Sequence, residues 1–85
     1  MQNCILYVKS IDGEGIHHNR YYDRTTKFWT NHAACAEGYR SFPVAQGQLT
    51  RLERKGFKLP LGETLFEWGI FDANHRNYKD GVTTP

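Results

Sequence analysis

His32 and Cys35 stand three residues apart in TTKFWTNHAACAEGY, residues 25–39, and are the first pair in this chain whose types suit chemistry. An imidazole and a thiol at that spacing make half of a zinc site, or a nucleophile beside its base. A structural zinc needs four ligands, commonly as two close pairs, and no second Cys/His pair of suitable spacing follows. His17 and His18 fall at the far end of an expected hairpin from Cys4, roughly 20 Å away at about 3.3 Å per strand residue. Cysteine catalysis would further require a group orienting His32 and an oxyanion pocket, and the chain is short for a formed cleft. Cys35 therefore reads as a small buried residue on a turn. Glu63 and Glu67, four apart on an expected strand, would share a face, but a solvated edge accounts for them without glycosidase chemistry. Neither GxxxxGK[ST] nor GxGxxG occurs. The expectation is a non-enzymatic protein without metal or cofactor.

A second set of residues suits recognition. Tyr7, Arg20, Tyr22 and Trp29 lie in β-rich stretches, and Arg51, Arg54 and Lys55 lie on a helical pattern. Tyr, Trp and Arg anchor protein interfaces. The same types stack on bases and contact phosphates. The formal charge of +2 says little, but its distribution is uneven. Residues 40–58 hold five bases (Arg40, Arg51, Arg54, Lys55, Lys58) against Glu53 alone, whereas residues 59–72 hold Glu63, Glu67 and Asp72 with no base.

The elements that must position these residues follow from pattern. CILYVKS (4–10), the turn residues IDGEG, and residues 16–23 read as a hairpin, and DRTT turns the chain into a third strand, 27–30. A turn centred on Gly13 and Glu14 pairs Leu6 with Tyr21 and Val8 with Asn19 toward the core. Tyr7, Arg20, Tyr22 and, after a two-residue turn at Arg24-Thr25, Trp29 are then assigned to the opposite, uncovered side. A three-residue turn would exchange Phe28 and Trp29 between the faces. Asn31 suits the N-cap of a short turn that Gly38 closes in the left-handed conformation. Ser41 caps a helix with Pro43 in its first turn, a stripe of Phe42, Ala45, Leu49 and Leu52, and Gly56 at its end. Residues 63–72 alternate as a last strand, with Phe66, Trp68 and Ile70 on one side and Leu65, Glu67 and Phe71 on the other.

The expected fold is α+β: one domain over residues 1–72, with an antiparallel sheet of three to four strands, one main helix on one face in βββαβ order, and a polar tail over 73–85. High aromatic content, 14% of residues, lets few side chains fill a thin core. With no leader pattern or long apolar run, the expectation is a cytoplasmic protein with Cys4 and Cys35 reduced.

Trp29, Thr30, Ala34, Tyr39, Ser41, Ala45, Leu49 and Leu52 mark a pattern that covers about residues 4–72: a strand pair, a Trp-Thr strand, an alanine and an aromatic, a serine-capped helix, then a closing strand. This pattern resembles small phage and prophage accessory proteins of β-β-α-β type, some of which, including certain anti-CRISPR proteins, inhibit a host defence complex by binding it. The HHNRYY strand and the polar tail depart from it. The resemblance implies a phage-encoded inhibitor or adaptor that occupies a surface of a host protein or ribonucleoprotein complex in the host cytoplasm. The alternative is a small nucleic-acid-binding protein, monomeric or a small homo-oligomer like the first.

Overall fold

A computed structural model of the chain describes residues 4–72 and, as backbone, a strand at 77–82. The elements are β1 (Ile5–Ile11), β2 (His17–Tyr22), β3 (Trp29–Thr30), a 3-10 turn (Ala33–Cys35), α1 (Phe42–Lys55), β4 (Thr64–Phe71) and β5 (Asn77–Val82). All pairings are antiparallel, in the order β3-β2-β1-β4-β5. The α+β class and the single main helix are as expected. The correction is β5: part of the stretch read as a polar tail pairs with β4 from Phe71↔Asn77 to Glu67↔Val82. Residues 73–76 and 83–85 of that reading lie outside the described residues.

The helix stripe is the core. Ala45 and Leu49 are fully buried, and Phe42 and Leu52 pack against a cluster of Cys4, Leu6, Tyr22, Tyr39 and Ile70. Ser41 occupies the N-cap with an extended backbone and Pro43 lies in the first turn; at the other end Gly56, at φ 87°, stops the helix behind Arg54 and Lys55. That φ is open to glycine at little cost, and the two cations suit the negative end of the helix dipole.

The first hairpin differs from expectation by one residue. Its loop holds three residues, Gly13 to Gly15, closed by the Asp12 N–H donating to the Ile16 carbonyl at 3.0 Å, with Gly15 at φ 84°. The Asp12 carboxylate fastens it by accepting the Glu14 and Ile16 N–H groups at 2.9 and 3.0 Å. The register becomes Tyr7↔Tyr21 and Val8↔Arg20. A one-residue slip turns every side chain of a strand to the other face. Leu6 and Val8 stay in the core as expected, but Arg20 and Tyr22 now join them on the helix side.

A bulge does the same to β4. The pairs Lys9↔Glu67 and Ser10↔Leu65 leave Phe66 as the extra residue. Trp68 and Ile70 keep the helix side, while Phe66 meets the His17 ring at 5.4 Å on the other, so the expected shared face of Phe66, Trp68 and Ile70 is broken. Glu63 and Glu67, expected on one face, are likewise parted: Glu63 reaches Ser10 and Arg20, and Glu67 reaches Tyr7 and Lys9.

Gly38 departs from its expected role too, since it does not take a positive φ. It lies where the chain between β3 and α1 bridges back to the start of β1, with Cys4 and Tyr39 exchanging backbone hydrogen bonds at 2.8 and 2.7 Å. A Cβ there would sit 2.6 Å from the Cys4 carbonyl oxygen. Only glycine lets the two backbones approach so closely. The 3-10 turn that precedes it begins after His32 without a side-chain cap, not at Asn31.

Candidate functional site

Between β2, the β2–β3 turn, the last turns of α1 and the loop after it runs a groove of about 940 Å³. Its floor follows from the register shift. Tyr22 and Trp29, brought to the helix side, meet edge to face at 5.1 Å; Trp29 meets Phe57 at 5.8 Å, and Phe57 meets Trp68 at 5.8 Å. Gly56 turns the chain so that Phe57 folds back onto this row, and Lys58, Leu59 and Pro60 become one wall. Burial pushes the Tyr22 phenol up; burial, then the neighbouring Tyr22, pushes Tyr39 up to about 12. Both rings are therefore neutral floor rather than acid–base groups.

That wall is tied to the sheet by Glu63. Its carboxylate accepts from Ser10 Oγ at 2.6 Å and from Arg20 Nε at 3.1 Å, and pairs with the Arg20 Nη2, while Arg20 Nη1 donates to Asn31 Oδ1 at 2.7 Å. Hydrogen bonding from Arg20, then from Ser10, holds the Glu63 carboxyl below its usual range against the opposing effect of burial. The guanidinium is thereby consumed in holding the groove together.

The opposite wall is the β2–β3 turn, a four-residue loop from Arg24 to Lys27 rather than the expected two. Asp23 donates its N–H to the Phe28 carbonyl at 2.9 Å and accepts the Lys27 N–H at 2.8 Å. Its carboxylate takes Thr26 Oγ1 at 2.9 Å and the Glu37 N–H at 3.0 Å. Lys27 adopts φ 64°, the left-handed region, which costs a residue with a Cβ roughly 1–2 kcal/mol. The turn so held leaves Phe28 74% exposed at the groove.

The electrostatics are one-sided. Six cationic side chains line the groove, Arg20, Arg24, Lys27, Arg51, Lys55 and Lys58, and no carboxylate does among the described residues. Arg20 is paired with Glu63, and Arg24 with Glu37 at 3.5 Å. Lys27, Arg51, Lys55 and Lys58 have no ion pair among the described residues. Four uncompensated charges around a low-dielectric aromatic floor focus potential on whatever occupies the groove.

The expected recognition residues are thus redistributed. Arg20, Tyr22 and Trp29 are beside the groove together with Arg51 and Lys55, whereas Arg54, on the same helix, does not line it. Tyr7 is on the other sheet face and buried, its hydroxyl donating to Glu67 at 2.9 Å, with Lys9 at 3.6 Å from the same carboxylate. Burial first and that bond second raise the Tyr7 pKa. The expected single uncovered face of Tyr7, Arg20, Tyr22 and Trp29 is therefore not formed, because the one-residue shift puts Tyr7 on the opposite side of the sheet from Tyr22 and Trp29. Lys27, Phe28 and Lys58 line the groove without having been among the expected recognition residues; the succession of base and ring in TTKFW was the available signal for Lys27 and Phe28, and the basic run over residues 40–58 for Lys58. Cys35 is exposed rather than buried, Cys4 is buried, and both thiols are free. His32 and Cys35 join no group of three or more metal-ligating side chains among the described residues.

Among the described residues no helix is long and apolar enough to cross a membrane. No family model, curated protein or solved structure matches the chain.

Proposed function

We propose that the protein is a non-enzymatic binding module whose ligand is a nucleic acid seated in the basic groove. One observation carries this reading: Lys27, Arg51, Lys55 and Lys58 converge on one aromatic-floored groove without an acidic neighbour in its lining. A polyanion with regularly spaced charges neutralises such a set and releases its own counterions on binding. Arg20 and Arg24 hold the walls; the other four cations contact phosphates. The test is fluorescence anisotropy with labelled oligonucleotides at low salt, comparing the native chain with a variant in which these four cations are alanine. Binding that the variant loses supports the reading, and absence of binding by the native chain rejects it.

A second reading rests on Phe28. An exposed ring among cations is also the composition of a protein-interface anchor. With the resemblance to phage accessory proteins, it supports an inhibitor or adaptor that occupies a host defence complex, at or beside the place where that complex holds nucleic acid. Affinity capture from host cells with and without nuclease separates the two: a partner retained after nuclease treatment favours the protein interface, and one lost with it favours the nucleic acid.

A further inference from the structure

We infer that the groove takes its nucleic acid as a single strand, with one base stacked on the face of Phe28. The inference rests on the nucleic-acid reading above and adds the state of the strand and the residue that reads it. Charge alone does not choose between strand states, because Lys27, Arg51, Lys55 and Lys58 would meet the phosphates of either. The aromatic residues do choose. Tyr22 and Tyr39 are buried at 6% and 8% exposure, and Trp29 is packed between Tyr22 and Phe57, so these rings are committed to the floor. Among the described aromatic residues lining the groove, Tyr22 and Tyr39 are buried, Trp29 is partly buried, and Phe28 is the exposed one, at 74%.

Three features fix the backbone from which that ring projects: the bond from the Asp23 N–H to the Phe28 carbonyl, the left-handed Lys27 before it, and the Phe28 N–H donating to Thr26 Oγ1 at 3.4 Å. A local turn in a sparsely populated conformation thus presents a phenyl ring to water beside a lysine that has no ion pair among the described residues. Strained positions of this kind concentrate at ligand sites. A ring so placed has no partner in a duplex, whose bases are stacked on one another, but offers a platform to the unstacked base of a single strand. Every base has a π-face, so the platform tolerates sequence.

The experiment is anisotropy on the full chain at low salt with three labelled probes of equal length: a thymidine oligonucleotide, the same sugar-phosphate chain without bases, and a duplex. Expected are tighter binding of the thymidine strand than of the other two, and a loss of roughly tenfold or more on that strand alone for Phe28→Leu, with Phe28→Tyr retaining affinity. Because Phe28 is exposed, the leucine variant keeps its fold, which circular dichroism checks. Arg54→Ala, whose side chain does not line the groove, weakens all three probes by a similar factor, as expected of a charge that acts through the overall field without touching the strand. Equal binding of all three probes, or a Phe28→Leu loss of the same size on the base-free chain, overturns the stacked single strand while leaving the phosphate contacts standing. Binding of no probe overturns both.

Discussion

Replacing Glu63 by alanine removes the clamp that holds the groove's outer wall, and its cost can be worked from the contacts. The side chains of Arg20 and Glu63 retain 14% and 6% exposure, so deleting the carboxylate strands a largely buried guanidinium. Breaking such a pair costs about 3–5 kcal/mol when both partners are sealed. Ser10, fully buried, also loses the acceptor at 2.6 Å, which adds about 1 kcal/mol or more. Water reaching the opened site offsets part of this, so we expect roughly 3 kcal/mol, a fall in Tm of about 12–24 °C at 4–8 °C per kcal/mol for a domain of this size. The pH dependence checks the cause. Glu63 has its carboxyl pKa lowered in the folded state, so its contribution is full above the unfolded value, about 4.3, and is lost as pH falls through the folded value. Thermal melts of native protein and of Glu63→Ala and Glu63→Gln, from pH 7 down to pH 2.5, therefore start far apart and draw together as pH falls below the unfolded value. A gap under about 0.5 kcal/mol at pH 7, the size of an exposed pair, would refute the clamp. So would a gap that does not narrow in acid.

Other outcomes follow from single positions. Gly47 lies inside α1 with nothing within 4 Å of an added Cβ, so Gly47→Ala stabilises by roughly 1 kcal/mol, read as a higher denaturant midpoint. Gly38→Ala drives a methyl into the Cys4 carbonyl at 2.6 Å and costs at least about 2 kcal/mol in the same titration, at the high end of ordinary point mutants. Lys27→Gly removes the left-handed penalty and is neutral to stabilising by up to about 1 kcal/mol, while Lys27→Val destabilises by more than that. Leu49→Ala empties a fully buried site under the sheet and costs about 3 kcal/mol, measured by equilibrium unfolding.

What was legible in the sequence is what depends on local period. Phe42, Ala45, Leu49 and Leu52 repeat at helical spacing, and Cys4, Leu6 and Val8 alternate, so their burial could be read directly. The face of β2 could not, because DGEG serves equally a two-residue turn at Gly13-Glu14 and a three-residue loop ending on Gly15. Gly15's positive φ selects the second, and that one residue carried Arg20 and Tyr22 to the helix side. The bulge at Phe66 and the pairing of β5 with β4 are set by partners distant in sequence. So is the groove: Lys58 joins Lys27 only because Glu63 reaches Arg20 and Phe57 folds onto Trp29. Half of the cationic wall was readable as the helix pair Arg51 and Lys55; the turn and loop that complete it are tertiary.

The most direct measurement is the salt dependence of oligonucleotide affinity. If Lys27, Arg51, Lys55 and Lys58 each neutralise one phosphate of a single strand, the logarithm of the binding constant falls against the logarithm of salt with a slope near −2.8, roughly −0.7 per contact. Between 50 and 200 mM salt that is about a fiftyfold loss, and Lys55→Ala with Lys58→Ala halves the slope to about −1.4. A slope near zero, or one the double variant leaves unchanged, would contradict a nucleic acid held by these four cations.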